Sequence, residues 1–524
     1  MQLRMKGYLG TVAIALISLF LIFVVAGCAK TGDQAPAARK EKVLRLGAVK
    51  DFKQAMEGKG LIFEGFVGVD REGNPVPELA ESWDVSEDGK TYTFHLRKGV
   101  KFHNGTVLDA STAKFAFQWI ANNTPFGSYV EKVETSDDNT LKVYFKEYYA
   151  PFLLDLAGGE QSPVICPEAV EPVGSVDGKL TKFIGTGPFK LVDYEKDKQA
   201  VLVRNDDYWG NKPKVDKVIW KTIPDPHAQI VALKAGEIDM IGITEHHSSV
   251  PYVEVPGLRK AGIKVEETSY GRYQVLEFNC QKEPFNDRKV RLALNLAIDR
   301  EKMVKELFGG LPEPAYTITA PWFKYGPSNV KQKYGYDPEK AKQLLAEAGW
   351  KDTDGDGILD KNGKPFVFEL LIPAGEANAD AVAVFVQSEL KKIGVQMKLL
   401  TLESGAASDR RQKGEYDMYV HHSFNLPSIP GGIGIGQKYH SKSKSWPAAY
   451  HAQELDRLIE KAWSTPDESE RKKICDEIWE MLHQEAPCIP LYDIVKVVAY
   501  RDNVSGFKPG STMYDMELQS IEVK

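Results

Sequence analysis

The stretch that decides the fold is Pro77-Glu-Leu-Ala-Glu-Ser-Trp-Asp-Val-Ser-Glu-Asp-Gly-Lys-Thr-Tyr-Thr-Phe-His-Leu-Arg97. Within it, Thr91 to Leu96 alternates polar and apolar side chains, which predicts a β-strand with one buried face. The polar run Ser86-Glu-Asp-Gly-Lys90 just before it is typical of a hairpin turn. The same arrangement recurs where Asp137-Asp-Asn139 precedes the alternating run Thr140 to Phe145. The sequence therefore predicts antiparallel strands in this part of the chain.

Helical patterns alternate with strand patterns further along the chain. Residues 110–121 have helical spacing and Asp109 is placed as their N-cap. One longer helical region is predicted from Asp287 to Leu307, and another helix starts at Pro338 and stops at Gly349. Further helices are predicted at Ala379 to Ile393, Ala452 to Trp463 and Glu468 to Gln484, and further strands at Phe366 to Leu371 and Lys496 to Tyr500. This alternation predicts an α/β protein.

The chain begins with a pattern typical of an exported protein. Arg4 and Lys6 precede an apolar run from Tyr8 to Ala26, as in a secretory signal peptide. The following Val25-Ala-Gly-Cys28 resembles the lipobox of bacterial lipoproteins, in which the signal is cleaved before a cysteine that becomes lipidated. The alternative is an uncleaved membrane anchor with an incidental cysteine. We expect a signal peptide over residues 1–27 and a flexible tether over residues 28–42.

Length and charge limit the remaining possibilities. About 480 residues follow the tether, which is too many for a single core at typical domain sizes. Cleavage before Cys28 would leave 65 basic and 73 acidic residues, a net negative charge that argues against nucleic acid or an anionic membrane as partner. The content of 9 Trp, 22 Tyr and 23 Phe suits large interiors and an aromatic binding cleft.

The four cysteines beyond Cys28 form no C-x-x-C pair, so neither a zinc site nor a thioredoxin-type motif is indicated. They are Cys166, Cys280, Cys475 and Cys488. A disulfide between Cys475 and Cys488 stays open, although buried free thiols are favoured.

Several segments together carry a family resemblance. They are Pro77 to Arg97, Lys101-Phe-His-Asn-Gly105, Ile184-Gly-Thr-Gly-Pro-Phe189, Arg204-Asn-Asp-Asp-Tyr-Trp-Gly210, Lys234-Ala-Gly-Glu-Ile-Asp239, Phe285 to Arg300 and Tyr336-Asp-Pro-Glu-Lys-Ala-Lys342. In this order they resemble the peptide/nickel family of ABC importer binding proteins, solute-binding protein family 5. The resemblance covers the chain from about Val43 to its end.

The resemblance implies two α/β lobes that close over a solute by a hinge motion, the periplasmic-binding-protein fold in its class with a large extra domain. Residues 43–272 with 491–524 would form lobe one, and residues 273–490 would form lobe two. The two crossing segments would lie near Tyr273–Asn279 and Pro490–Tyr500. It also implies a monomeric, lipid-anchored protein outside the cytoplasm, in the periplasm or on the outer face of the membrane, that delivers its solute to ABC permease subunits.

The resemblance extends to the ligand. Peptide-binding members carry an aspartate that pairs with the peptide ammonium group, and Leu426 stands at the matching position. In the nickel-binding members the matching stretch is Met-x-x-His-x-x-Trp-x-x-Pro, to which His421 and Phe424 correspond. Their metal-coordinating loop histidine falls on His440 when one counts back from Leu455. These matches imply Ni²⁺ bound to a small chelator as the transported ligand, because one imidazole suffices when a chelator fills the other coordination sites.

Other residues leave the ligand open. The nickel-binding members hold chelator carboxylates with lobe-one arginines, whereas residues 121–126 and 158–162 contain no arginine and instead include Glu160. A peptide or another organic solute is therefore the alternative ligand. Further binding candidates are His246, His247, His422 and Trp446. Because His421 and His422 are neighbours on a predicted strand, we expect their imidazoles on opposite faces, with only one facing the cleft.

Calcium binding and metal-dependent hydrolysis are two alternatives to solute binding. Asp352-Thr-Asp-Gly-Asp-Gly-Ile-Leu-Asp360 resembles the start of an EF-hand loop, with Asp352, Asp354 and Asp356 as candidate ligands of a weak Ca²⁺. Gly363 replaces the glutamate of position twelve, so a polar turn is favoured. The histidine pairs also admit a secreted metal-dependent hydrolase. The sequence contains neither G-x-S-x-G nor H-E-x-x-H, which argues against an enzyme.

Overall fold

The structure is a computed structural model that describes residues 40–52, 60–158, 162–244, 250–328, 334–374, 378–423, 433–443, 446–512 and 515–524. Residues Glu41–Lys524 form one compact unit. The predicted signal peptide and Cys28 lie outside the described residues.

The described chain is a mixture of strands and helices. The strands are β1 (Val43–Ala48), β2 (Val67–Val69), β3 (Pro75–Pro77), β4 (Ala80–Val85), β5 (Thr91–Leu96), β6 (Val130–Asp137), β7 (Thr140–Phe145), β8 (Val170–Glu171), β9 (Lys179–Leu180), β10 (Phe189–Glu195), β11 (Gln199–Arg204), β12 (Lys217–Thr222), β13 (Met240–Ile241), β14 (Lys264–Phe278), β15 (Asp360–Lys361), β16 (Lys364–Pro365), β17 (Val367–Pro373), β18 (Gln396–Leu402), β19 (Met418–His422), β20 (Cys488–Tyr500), β21 (Val504–Ser505) and β22 (Glu522–Val523). The α-helices are α1 (Ala110–Asn122), α2 (Phe152–Gly158), α3 (Pro226–Ala235), α4 (Val255–Lys260), α5 (Arg288–Leu296), α6 (Arg300–Phe308), α7 (Pro338–Glu347), α8 (Ala379–Lys391), α9 (Ser404–Gln412), α10 (Ile433–Tyr439), α11 (Gln453–Ser464) and α12 (Glu468–Glu485).

A ten-stranded sheet in the order β10-β11-β12-β1-β13-β20-β14-β19-β17-β18 runs through the molecule. Its two longest strands, β14 and β20, pair antiparallel over most of their length. Their register shifts between Ser269 and Tyr273, so residues 270–272 bulge out of the ladder. These two strands connect the first half of the sheet with the second.

The hairpin predicted from the deciding stretch is confirmed. Strand β5 alternates buried and half-buried side chains and lies in a four-stranded sheet of order β4-β5-β7-β6. Helix α1 packs near this sheet and begins as predicted, because the Asp109 carboxylate accepts a hydrogen bond from the Thr112 amide at 2.8 Å.

Some predicted boundaries are wrong. The region from Asp287 to Leu307 is not one helix but α5 and α6, because the Asp299 carboxylate caps a new helix by accepting from the Lys302 amide. The predicted strand at Lys496 is only the end of the thirteen-residue strand β20. Pro490 and Asp493 interrupt the apolar pattern before Lys496, so the pattern does not show where the strand starts.

Three large apolar cores lie around the sheet. The first gathers side chains from residues 44–243 and from the C-terminal residues 498–521. The second packs residues 276–420 and 489–499 together with side chains from residues 230–263. The third lies around α11 and α12. Cys166, Cys280, Cys475 and Cys488 are buried free thiols, in agreement with the favoured interpretation. No helix within the described ranges is both long and apolar enough to traverse a bilayer.

A buried carboxylate connects two of the segments that carry the family resemblance, residues 184–189 and 204–210. The Glu64 side chain accepts hydrogen bonds from Thr186 at 2.7 Å, Tyr208 at 2.7 Å and Trp209 at 2.8 Å. Burial raises the pKa of Glu64, and these hydrogen bonds oppose the shift. Gly185 is required beside this network, because a Cβ there would lie 1.9 Å from the Ile62 carbonyl oxygen.

Two arginines hold family segments of the sheet in a similar way. The Arg45 guanidinium binds both oxygens of the buried Asp239 carboxylate at 2.8 Å each. The buried Arg300 donates to the carbonyl oxygens of Pro490 at 2.6 Å and Tyr334 at 3.0 Å. Residues of the segments that carry the family resemblance therefore make buried contacts that stabilise the fold.

Candidate ligand site

Strand β19 brings a histidine against a buried carboxylate of β14. His421 pairs with Val275 in the antiparallel register, and its Nδ1 lies 3.5 Å from Glu277 Oε1. The Glu277 side chain is 4% exposed and contacts the Lys438 ammonium, whose side chain is 5% exposed. A charged pair so fully removed from water needs both partners in place.

An indole ring forms the centre of this group. The Arg411 guanidinium lies 3.8 Å and the Lys438 ammonium 4.9 Å from the Trp446 ring centre. His421 approaches the same ring edge-on at 4.6 Å. We call Trp446, His421, Arg411, Lys438 and Glu277 the Trp446 cluster. It places two cations over one aromatic ring, an arrangement that favours cation–π attraction.

The protonation of the cluster follows from its burial. Burial lowers the pKa of Lys438 to about 8, and contact with the Glu277 carboxylate favours the protonated amine. Burial also lowers the pKa of Arg411, which stays far above neutrality for a guanidinium. At pH 7 the cluster therefore carries two cationic side chains, Arg411 and Lys438.

His440 lies in a second group that we call the His440 junction: His440, Glu460, Trp463, Tyr129 and Tyr149. The ring stacks on Trp463 with centroids 5.5 Å apart and planes inclined by 10°. Its Nδ1 accepts a hydrogen bond from the backbone amide of Lys442 at 3.1 Å, which leaves Nε2–H to donate to Glu460 Oε1 at 3.2 Å. The residue is 4% exposed. Although burial opposes it, the hydrogen bond from His440 helps to lower the pKa of Glu460.

One helix end connects the two groups. Lys438 and Tyr439 close α10, and His440 follows directly. A narrow cavity between α10, α12 and the segment 318–326 is lined by Ser423, Lys438 and Tyr439. The cavity has room for about one water molecule.

The other predicted site residues are distributed as follows. His422 is 4% exposed and its ring lies 5.6 Å from that of His421, where β19 ends. That only one of these two imidazoles faces the ligand stays a prediction. Trp446 lies beside His421, whereas His440 belongs to the other group, and contact of either with a ligand stays a prediction. His246, His247 and Phe424 lie outside the described residues, as does Glu160 in the first half of the chain.

The EF-hand-like segment forms a loop between α7 and the hairpin β15–β16. Asp352, Asp354 and Asp356 are exposed and their carboxylate oxygens lie within 4.8 Å of one another. The same oxygens cap their own loop, since Asp352 accepts from the Gly355 amide at 2.7 Å and Asp356 from the Ile358 amide at 2.7 Å. Across the described ranges this is also the one set of three or more His, Cys, Asp or Glu ligand atoms close enough to share a metal. A weak Ca²⁺ there stays a prediction.

Sequence reasoning missed Glu277, Arg411, Lys438 and Trp463. Glu277 interrupts the apolar run Val275-Leu-Glu-Phe278, and a charge inside a central strand is a signal that could have been used. Lys438 and Trp463 carry no local signal, because their partners lie on other elements.

Comparison with known proteins identifies the class to which this arrangement belongs. Residues 74–432 match the family described as bacterial extracellular solute-binding proteins, family 5 middle. The chain belongs to this family, whose members deliver solutes to ABC importers, and it is a binding protein with a two-lobed fold rather than an enzyme.

Two relatives show the range of ligands within the family. The chain is 30% identical over 484 residues to the nickel-binding periplasmic protein of Escherichia coli K12, covering 89% of this chain and 90% of that protein. It is also 30% identical to the oligopeptide-binding protein AppA of Bacillus subtilis 168, covering 88% and 86%.

Solved structures show the same two ligand classes. NikA from Brucella suis in complex with Fe(III)-EDTA superposes with a TM-score of 0.83 at 27% identity, over 92% of this chain and 100% of that one. NikZ from Campylobacter jejuni in complex with Ni(L-His) gives 0.79 at 25% identity, over 92% and 99%. AppA in complex with a nonapeptide gives 0.78 at 27% identity, over 92% and 99%.

Proposed function

We propose that this protein captures Ni²⁺ or a related metal ion as a complex with a small organic chelator and delivers it to an ABC permease. The observation that carries the proposal is the Trp446 cluster, where Arg411 and Lys438 flank an indole beside His421. Such a wall suits the flat, carboxylate-bearing surface of a chelate. Relatives named for nickel and structures with metal chelates support the same ligand class.

His440 is the proposed protein ligand of the metal. Its Nε2–H donates a hydrogen bond to Glu460 and its Nδ1 accepts one from the Lys442 amide. Coordination through Nε2 would therefore require the ring proton to move to Nδ1 and would replace both hydrogen bonds. Neutral imidazole is a suitable donor for Ni²⁺. A single protein ligand is consistent with a solute that brings most of its own coordination sphere.

Capture would work through differential affinity. A solute held between the two lobes stabilises the closed form only by the contacts that are absent from the open form. We propose that residues 43–272 and 491–524 form one lobe and 273–490 the other. The Trp446 cluster then belongs to the second lobe, while the His440 junction reaches the first through Tyr129 and Tyr149.

The setting of the protein is proposed from its sequence. Cys28 would carry the lipid that holds the protein at the membrane outside the cytoplasm, after cleavage of residues 1–27. The protein would act as a monomer.

The test is a titration of the apo protein by isothermal calorimetry. Ni²⁺ alone, Ni²⁺ with free L-histidine and a mixture of dipeptides and oligopeptides serve as three separate arms. We expect heat and saturation with a nickel complex, and at least ten-fold weaker binding in Arg411→Gln. Arg457→Gln is the matched control, because its side chain is 61% exposed on α11.

The peptide arm decides between the two ligand classes of the family. Saturable peptide binding without any response to nickel complexes would refute the proposal in favour of the alternative, a peptide-binding protein. Mass spectrometry of the protein purified from its natural source would identify the solute directly.

A further inference from the structure

One tryptophan joins the two halves of the molecule. Trp463, near the end of α11, packs against both the first apolar core and the third. Its ring lies 6.3 Å from Tyr129 and 6.2 Å from Tyr149, in both cases edge-on or nearly so. These tyrosines stack on each other with centroids 4.4 Å apart. Edge-to-face aromatic contacts of this kind are favourable and directional.

Polar contacts accompany the aromatic ones. The Ala150 amide donates to the Trp463 carbonyl oxygen at 2.9 Å. The Arg471 guanidinium on α12 donates to the Tyr148 hydroxyl at 3.3 Å and is itself fixed by the Thr465 carbonyl at 2.6 Å. The segment 148–150 is thus attached to α11 and α12 by side chains and backbone together.

The same tryptophan also supports the proposed metal ligand. The His440 imidazole lies parallel to the Trp463 indole, with its Nε2–H directed to Glu460 one turn earlier on α11. Movement of the imidazole, or loss of its bond to Glu460, changes the surface on which the indole rests. The indole is therefore in contact with the proposed metal ligand on the second lobe and with two tyrosines of the first.

We infer that Trp463 is a positioning residue that couples occupation of the His440 position to closure of the lobes. The inference rests on the proposed function and its lobe boundaries. His440 already lies against the indole and the indole against Tyr149, so a solute coordinated by His440 would act on the first lobe through this stack. Without this ring the closed form loses its contact at this point, and apparent affinity falls with the fraction of closed molecules.

The experiment compares Trp463→Leu and Tyr149→Leu with the wild type in small-angle X-ray scattering and calorimetry, using Ni²⁺ with free L-histidine as the probe. Tyr336→Leu is the control, because this aromatic side chain is 44% exposed. We expect the wild type and the control to contract on saturation. Each of the two test variants should bind at least ten-fold more weakly, and the double variant should lose little more than either single one, because both changes remove the same contact.

The readouts separate the two proposals. Contraction of the wild type together with unchanged affinity and contraction in Trp463→Leu would overturn the role of Trp463 and leave the proposed function intact. A wild type that neither binds nor contracts with nickel complexes would refute the proposed function and this inference with it. If circular dichroism shows that Trp463→Leu fails to fold, Tyr149→Leu, which leaves α11 untouched, decides the question by the same criteria.

Discussion

Replacing Lys438 by methionine should destabilise the protein far more than a single surface charge could. The Lys438 and Glu277 side chains are 5% and 4% exposed, so the substitution leaves a carboxylate away from water without its ammonium partner. Removing one member of such a pair costs about 3–5 kcal/mol. His421 is the next side chain beside this carboxylate, with Nδ1 3.5 Å from Glu277 Oε1.

The double variant Glu277→Leu/Lys438→Met tests whether the loss of stability comes from the unpaired carboxylate. When both charges are replaced by apolar groups, no buried ion remains, and such replacements are neutral or stabilising by about 1–4 kcal/mol. The double variant should therefore be more stable than Lys438→Met alone. Lys442→Met is the matched control, because that ammonium-bearing side chain is 82% exposed, and it should change stability by no more than about 0.5 kcal/mol.

Differential scanning calorimetry of the ligand-free protein measures these differences. At about 2 °C per kcal/mol, the lower end for large domains, Lys438→Met should melt roughly 6–10 °C below the wild type. The reasoning is refuted if Lys438→Met melts within about 2 °C of the wild type, or if the double variant is less stable than that single one.

Three further predictions concern the scaffold. Gly185→Ala should cost about 3 kcal/mol or more in urea unfolding, since its Cβ would lie 1.9 Å from the Ile62 carbonyl oxygen, whereas Gly257→Ala, with open space around it, should cost nothing. Burial raises the pKa of Asp493 to about 6, so the folded state holds this proton more tightly than the unfolded state, and the contribution of Asp493 to the unfolding free energy should fall by about 2 kcal/mol as the pH rises from 4 to 6.5. Asp493→Asn should remove that fall, and parallel pH profiles for variant and wild type would contradict it. Arg300→Met should leave buried carbonyl oxygens without a donor and reduce the yield of folded protein, as measured by soluble expression and melting temperature.

The parts of the fold that local patterns determine could be predicted from the sequence. The alternation in β5 and the capping aspartate before α1 act within a few residues, so one sequence is enough to show them. The break between α5 and α6 was missed because the helical spacing continues across Asp299, which caps the second helix. The length of β20 was missed because Pro490 and Asp493 interrupt its apolar pattern.

The candidate site was only partly predictable. His440 was placed on a loop before a helix, and the structure has it directly after α10, but its contact with Trp463 depends on how α11 packs. The contact between Glu277 and Lys438 joins residues far apart in sequence. Such a pairing depends on the tertiary structure and cannot be predicted from the spacing of residues in the sequence.

The position of β20 in the sheet has a consequence for biosynthesis. Its residues from Cys488 onward insert between β13 and β14, so each half of the sheet has an open edge until almost the whole polypeptide has been made. A nascent or truncated chain ending before Cys488 would present two unpaired strand edges, which are templates for aggregation. Maturation of both halves therefore awaits one late segment, and quality control by proteases would act most strongly on products that lack it.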